Sequence, residues 1–275
     1  MRCARIWGVL VLVVPLAGCI TSSTLLTVNA DGSGTIEQTM TMSAEAAAQA
    51  SQLAAGLGAL GGGSKSAKTP EFFSEAEARG AAAKLGESVT FVSSERIKTK
   101  EAEGIRATYV FTDITKVRLN QKPRSPVGQP GGMKVGGSDP EDIHFRFARQ
   151  PGGSSVVTLV FPEVTPDQVK KAQSAGAKET IDPQALSMAR MVLKDLRISI
   201  VMQVAGRILK TNSPYVEGPR VTLLDMNFNE LLSDETLLQK LQGVESLEQA
   251  KTVLKGVKGF KFNFDREISV EFTAR

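Results

Sequence analysis

The chain has 275 residues, with 33 Lys+Arg against 29 Asp+Glu, 41% apolar residues and 23% charged ones. That is enough apolar material for a buried core and too much interspersed charge for a multispan membrane protein, so wholesale disorder and polytopic insertion are both excluded. One His, one Trp, two Tyr and two Cys leave little for multi-histidine metal, thiolate or aromatic-platform chemistry.

Arg2 and Arg5 precede an apolar run of eleven residues, Ile6 to Leu16, which reads as a signal peptide too short to span a bilayer as a mature helix. Leu16-Ala17-Gly18-Cys19 follows directly and resembles the lipobox of bacterial lipoproteins. The resemblance implies cleavage after residue 18, with Cys19 becoming the first mature residue, its sulfur a diacylglyceryl thioether and its amine acylated. Arg2 and Arg5 then leave, so 31 basic side chains face 29 acidic ones. Cys3 departs and Cys19 is consumed, so the exported chain keeps no thiol for a disulfide. Two acyl chains, at ~0.8 kcal/mol per buried methylene, hold with on the order of 20 kcal/mol. Ile20 in place of Asp after the cysteine implies, by analogy with enterobacterial sorting, the outer membrane of a two-membrane cell and otherwise the outer face of the plasma membrane.

Residues 19–275 are expected to form one α+β domain of antiparallel hairpins with several packing helices. Leu25–Val28 and Thr35–Met42 flank an Asp31-Gly32 turn, a strong hairpin signal, and about six residues, roughly 20 Å, separate Cys19 from the first strand. Asn29 and Asp31 lack the further carboxylates of a calcium loop. Ser43 is placed to cap a helix through Ala44 to about Leu57. The Ala/Leu/Gly stretch after it, near 58–70, reads as a flexible linker or a lipid-touching surface. A second helix is expected from Thr69-Pro70 through Phe72, Phe73, Ala76 and Ala81 to Leu85, with Ser74 near its start.

Two strands around Glu101–Gly104 follow, with Ile105, Ala107, Tyr109 and Phe111 on one face and Thr108, Thr112, Lys116 and Arg118 on the other. Asn120–Asp142, rich in Pro and Gly, reads as a long flexible loop over 120–141. A hairpin is expected from Ile143–Phe147 to Val157–Phe161, with Phe145 and Phe147 inward and His144 outward beside Arg146. Helices over Pro166–Ala175 and Pro183–Leu193 begin with proline in the first turn. The strongest strand is Leu196–Val204. After it, Gly206, Asn212 and Gly218 mark bends, with Ile208, Val216 and Val221 as apolar anchors. The apolar parity switches at Leu223-Leu224, which predicts a β-bulge. Short helices at Glu235–Leu241 and Leu247–Leu254 precede a final strand from Phe260 to Phe272, with Arg266 marking a turn or bulge.

Cys19, the Asp31-Gly32-x-Gly34 hairpin and the late Gly206-x-Ile208, Asn212, Gly218, Val221-Thr222 stretch together resemble a group of bacterial envelope lipoproteins that includes the mycobacterial LppM-type proteins. The resemblance covers about a fifth of the chain and rests largely on turn chemistry. It departs in the Ala/Gly-rich segment, the Pro/Gly loop and the lack of both a tryptophan after the final strand and a following membrane helix. It implies an α+β envelope domain that handles lipid and no catalytic residues.

The sequence therefore points to a non-enzymatic, membrane-anchored envelope lipoprotein, a lipid-binding or assembly module. The alternative is a structural or partner-docking lipoprotein without a ligand. No cofactor, metal site or nucleic-acid partner is expected. Lys116, Arg118, Lys122 and Arg124 form the candidate contact for anionic lipid head groups. A hydrolase would need His144 beside a serine, yet there is no Gly-x-Ser-x-Gly elbow. Glu163 and Asp167 have no spacing that marks a glycosidase pair.

Overall fold

A computed structural model describes residues 20–48, 74–119, 142–162 and 196–274, except 243 and 245. The leader and Cys19, the stretches 49–73 and 120–141, and the helices expected at 166–175 and 183–193 lie outside the described residues, as do Lys122, Arg124, Glu163 and Asp167.

Alternating apolar residues build two sheets. The larger takes β1 (Ile20–Val28), β2 (Gly34–Ser43), β3 (Val89–Lys98), β4 (Ala102–Phe111), β7 (Arg197–Val204), β9 (Val216–Glu217), β10 (Arg220–Asn227) and β11 (Phe260–Phe262), in the order β11-β10-β7-β1-β2-β4-β3, with β9 also on β10. The smaller has β5 (His144–Arg149), β6 (Ser154–Val160), β8 (Gly206–Thr211) and β12 (Glu267–Ala274), in the order β5-β6-β12-β8. The expected α+β class with antiparallel hairpins holds, with one addition: β1 runs parallel to β7.

The first strand starts at Ile20 instead of Leu25. Its polar alternates Thr21, Ser23 and Thr27 are only half-buried on one face, while Leu26 and Val28 are fully buried on the other. The inward alternation of Ala107, Tyr109 and Phe111 on β4, and of Ile198, Ile200, Met202 and Val204 on β7, is as expected. So is the bulge: β10 slips register against β7 between Thr222 and Leu224, which buries Leu223 and Leu224 together. Val216, expected as an anchor, is 41% exposed.

Ser43 caps the helical residues 44–48, its hydroxyl accepting from Ala46 N. Helix α1 spans Glu75–Leu85 and does not run on from Thr69-Pro70 as expected, because Ser74 is extended (φ −105°, ψ 144°) and is its N-cap, accepting from Glu77 N. Its inward stripe is Ala78, Ala81, Ala82 and Leu85, whereas Ala76 is exposed. The small stripe lets the helix lie close on the sheet, where Tyr109 donates its hydroxyl to Ala78 O at 2.9 Å. Three further helices follow β10: α2 (Phe228–Ser233), absent from the sequence reading, α3 (Glu235–Gln242) and α4 (Leu247–Leu254). Asn227 caps α2 by accepting from Asn229 N, a signal that sits inside an otherwise strand-like run.

The chain crosses between the sheets at several points, and two of these are corners held by single residues. At Ala205-Gly206 it turns out of β7 into β8, and a Cβ at Gly206 would stand 1.7 Å from Thr273 O, so only glycine admits this approach. The other corner splits the expected final strand. Phe260–Phe262 pairs with β10, Glu267–Ala274 pairs with β6 and β8, and Arg266 lies in the turn between them. Buried Asn263 holds that corner, donating to Thr222 O at 2.8 Å beside the bulge and accepting from the buried Ser213 hydroxyl at 3.0 Å. Leu26, Ile36, Met202 and Val221 from one sheet join Val157, Leu159, Ile268 and Phe272 from the other in one core.

Replacing Asn263 with Ala removes a buried donor and strands the Thr222 carbonyl, so the expected loss is about 2–3 kcal/mol in urea unfolding. Val216→Ala, on the exposed strand, should stay within about 0.5 kcal/mol of the parent in the same titration.

Candidate functional site

Ile20 is joined to Cys19 by a single peptide bond and already sits opposite Met42 in the ladder. From Thr21 onward β1 is also paired with β7. The expected six-residue spacer is therefore absent: a short tether would need residues 20–24 to be unpaired, and they form a strand with neighbours on both sides.

The ladder fixes what shares this end of the sheet. One row runs Asn227, Arg197, Thr21, Thr41, Gly104, Ile97 across six strands. Beyond it lie the β3–β4 turn and, on the other side, the α4–β11 connection, which Asn227 N ties down by donating to Gly259 O at 2.8 Å. At ~4.8 Å between strands, each of these lies roughly 14 Å to one side of β1.

At the β3–β4 turn Lys98 pairs with Glu103 at 3.3 Å, and Lys100 is exposed without an ion-pair partner among the described residues. Arg197 forks onto both Asp225 oxygens at 3.2 Å. On the other flank, Lys251 pairs with Glu248 and Lys258 with Glu230. Lys255 and Lys261 are exposed, and neither has an ion-pair partner among the described residues. The sequence reading passed over this basic segment, although its signal is plain: four lysines and no acidic residue between Lys251 and Phe264.

An open cleft of about 610 Å³ adjoins the segment, lined by Glu230, Ser233, Asp234, Glu235, Val257 and Lys258. Two of its three carboxylates serve the fold, since Glu230 holds Lys258 and Asp234 accepts from Leu237 N at the start of α3. Among the described residues no group of three or more His, Cys, Asp or Glu side chains is placed to hold a metal ion. No helix among them is long and apolar enough to cross a membrane.

The lysines and arginines singled out from sequence lie elsewhere. Lys116 and Arg118 are not on the outward face of β4, because the chain leaves that strand after Phe111 and forms a 3-10 turn at Ile114–Lys116. That turn packs at the far end of the sheet, where Ile114 N donates to Gly32 O. The length of β1, at ~3.3 Å per residue, separates this end from Ile20 by roughly 26 Å. Arg118 donates to Thr115 O at 2.9 Å and Val117 O at 2.8 Å, so its guanidinium caps its own turn. His144 is exposed on the open face of the small sheet beside Arg146, which pairs with Glu267.

Two aspartates shape the far end. Asp31 accepts from the Ser33 hydroxyl at 2.6 Å and from Ser33 N at 2.9 Å, closing the hairpin turn in which Gly32 takes a positive φ of 86°. Asp113 accepts in the same way from the hydroxyl and N–H of Thr115. The hydroxyl bonds first, then the backbone N–H bonds, hold both carboxyls below the ordinary range. The Asp31 carboxylate is thus engaged by its own turn.

No protein-family model matches the chain, and no curated protein matches it. Among solved structures, the NMR structure of the folded domain of Mycobacterium tuberculosis LppM aligns over 93% of this chain and 90% of that one, at 8% identity and a TM-score of 0.29. At that score the two backbones superpose too loosely for any residue's role to pass from one to the other.

A carboxyl-carbon NMR titration should give midpoints for Asp31 and Asp113 below the ordinary 3.8. With the folded values depressed, the stabilisation from these turns is complete above the unfolded carboxyl range and fades as pH falls through the folded midpoints. Midpoints at or above 3.8 would contradict the turn assignment.

Proposed function

We propose that the chain is an envelope lipoprotein, acylated at Cys19 after removal of residues 1–18, whose α+β domain works without catalysis as an assembly module at the membrane surface. The observation that carries this reading is the junction itself: the lipobox cysteine leads without a linker into a strand paired on both sides. Acylation at that residue brings one chosen end of the large sheet against lipid.

The packing between the sheets favours an assembly role over carriage of a lipid inside the domain. Phe145, Leu159, Ile268, Val270 and Phe272 of the small sheet meet Leu26, Val28, Ile36 and Met202 of the large one, all of them at most 3% exposed. Interiors packed in this way lose about 2–5 kcal/mol for each large aliphatic side chain removed, so opening room for an acyl chain would be costly.

Full-length protein expressed in a bacterial host with an alkyne fatty acid should carry the label and partition into the Triton X-114 detergent phase. Cys19→Ala should do neither. A labelled, detergent-partitioning Cys19→Ala chain would defeat the anchor assignment. Envelope lipid co-purifying in equimolar amount with that unacylated variant would defeat the assembly reading in favour of lipid carriage.

A further inference from the structure

The basic segment on the β11 side of the sheet supplies a second contact with the bilayer. We infer that Lys255, Lys258 and Lys261, with the half-buried Val257 and Phe260 between them, form a docking surface for the head groups of an anionic membrane. This rests on acylation at Cys19, and it assigns the membrane-facing charge to residues other than those singled out from the sequence.

Placement comes first. Phe260 lies opposite Met226, and Gly259 is bonded to Asn227, so the turn from Lys255 to Gly259 lies at the same end of the sheet as Ile20. Gly256 at φ +82° and Gly259 at φ +73° give this connection its two left-handed positions. A Cβ on Gly259 would come within 2.9 Å of Glu230 Cβ, so the turn is seated closely on α2.

Charge comes second. Three of the neighbouring acids are held by cations, Glu248 by Lys251, Glu230 by Lys258, and Asp225, directly opposite Lys261 in the ladder, by the Arg197 fork, while Asp234 and Glu235 line the cleft on the other side of Lys258. Lys255 and Lys261 stay exposed and without an ion pair among the described residues, which leaves them the most available cations on this flank. Their long stems, set beside Val257 and Phe260, suit a surface that is anionic at the head groups and apolar just beneath.

The test uses acylated full-length protein purified from membranes and reconstituted into vesicles of phosphatidylcholine alone or with one-third phosphatidylglycerol. Amine acetylation at each lysine is followed by mass spectrometry. Lys255 and Lys261 should react about five-fold more slowly in the anionic vesicles, the factor that corresponds to ~1 kcal/mol per charge near such a surface. Molar salt should remove the difference, and Lys116, at the far end, should react equally in both. In a Lys255→Gln, Lys261→Gln double variant, which alters only exposed positions, Lys258 should lose most of its slowing. Equal rates at Lys255 and Lys261 in the two vesicle types, or equal slowing at Lys116, would overturn the contact. The intact mass of the same sample separates the two readings: an unacylated Cys19 removes the anchor and this inference together, whereas an acylated chain with unslowed Lys255 and Lys261 removes the contact alone.

Discussion

The structure depends on the position of β1, which is paired antiparallel with β2 along its whole length and parallel with β7 from Thr21 onward. A strand held on both sides cannot slip without exchanging its faces. A one-residue shift would bring Thr27 into the core and send fully buried Leu26 and Val28 toward solvent. At about 1.5–3 kcal/mol for each large apolar side chain taken out of the core, that register has no competitor. This ladder fixes which residues share the Ile20 end of the sheet.

Two corners convert that sheet into a domain. At Gly206 the run from β7 into β8 changes sheets because the position lacks a Cβ. At Asn263 the run from β11 into β12 does so because one amide satisfies the carbonyl beside the bulge. Asn212 supports the second sheet similarly, with its side chain bonded to Glu267 O and Ser269 N in place of a backbone bridge. The late Gly-x-Ile, Asn, Gly, Val-Thr stretch is therefore a set of structural fittings: a corner, a bridge, the left-handed turn at Gly218 and the buried Val221.

Local periodicity made much of this legible. The Asp31-Gly32 hairpin, the facing of Phe145 against His144, the caps at Ser43 and Ser74 and the parity switch at Leu223-Leu224 are each decided within a few residues, and the sequence carries them openly. What it hid depends on distance along the chain. The pairing of Leu26 with Met202 joins residues far apart in sequence, and no local pattern announces it. Phe260 to Phe272 hold one parity throughout, so only the tertiary fold shows that the run serves two sheets. The strand face expected for Lys116 and Arg118 was misread for the same reason. Lys116 and Arg118 look like the tail of a strand, while Asp113 caps a 3-10 turn that carries them to the far end.

The two ends of the large sheet thus have different chemistry, and with Cys19 acylated as proposed, the absent linker would turn that difference into an orientation. Freeing Ile20 to Ser23 would lengthen the tether by only about 13 Å, and it would break ladder bonds on both flanks of β1, each contributing about 0.5–1.5 kcal/mol net. Slack at the anchor is therefore expensive, and rotation about the anchor is the remaining freedom. A cation set roughly 14 Å from the pivot acts on that rotation with a lever, since a tilt of about 35° carries it through a Debye length of about 8 Å. Lys255 and Lys261 are placed to act this way, whereas Lys116, roughly 26 Å up the sheet from Ile20 by strand length, is not.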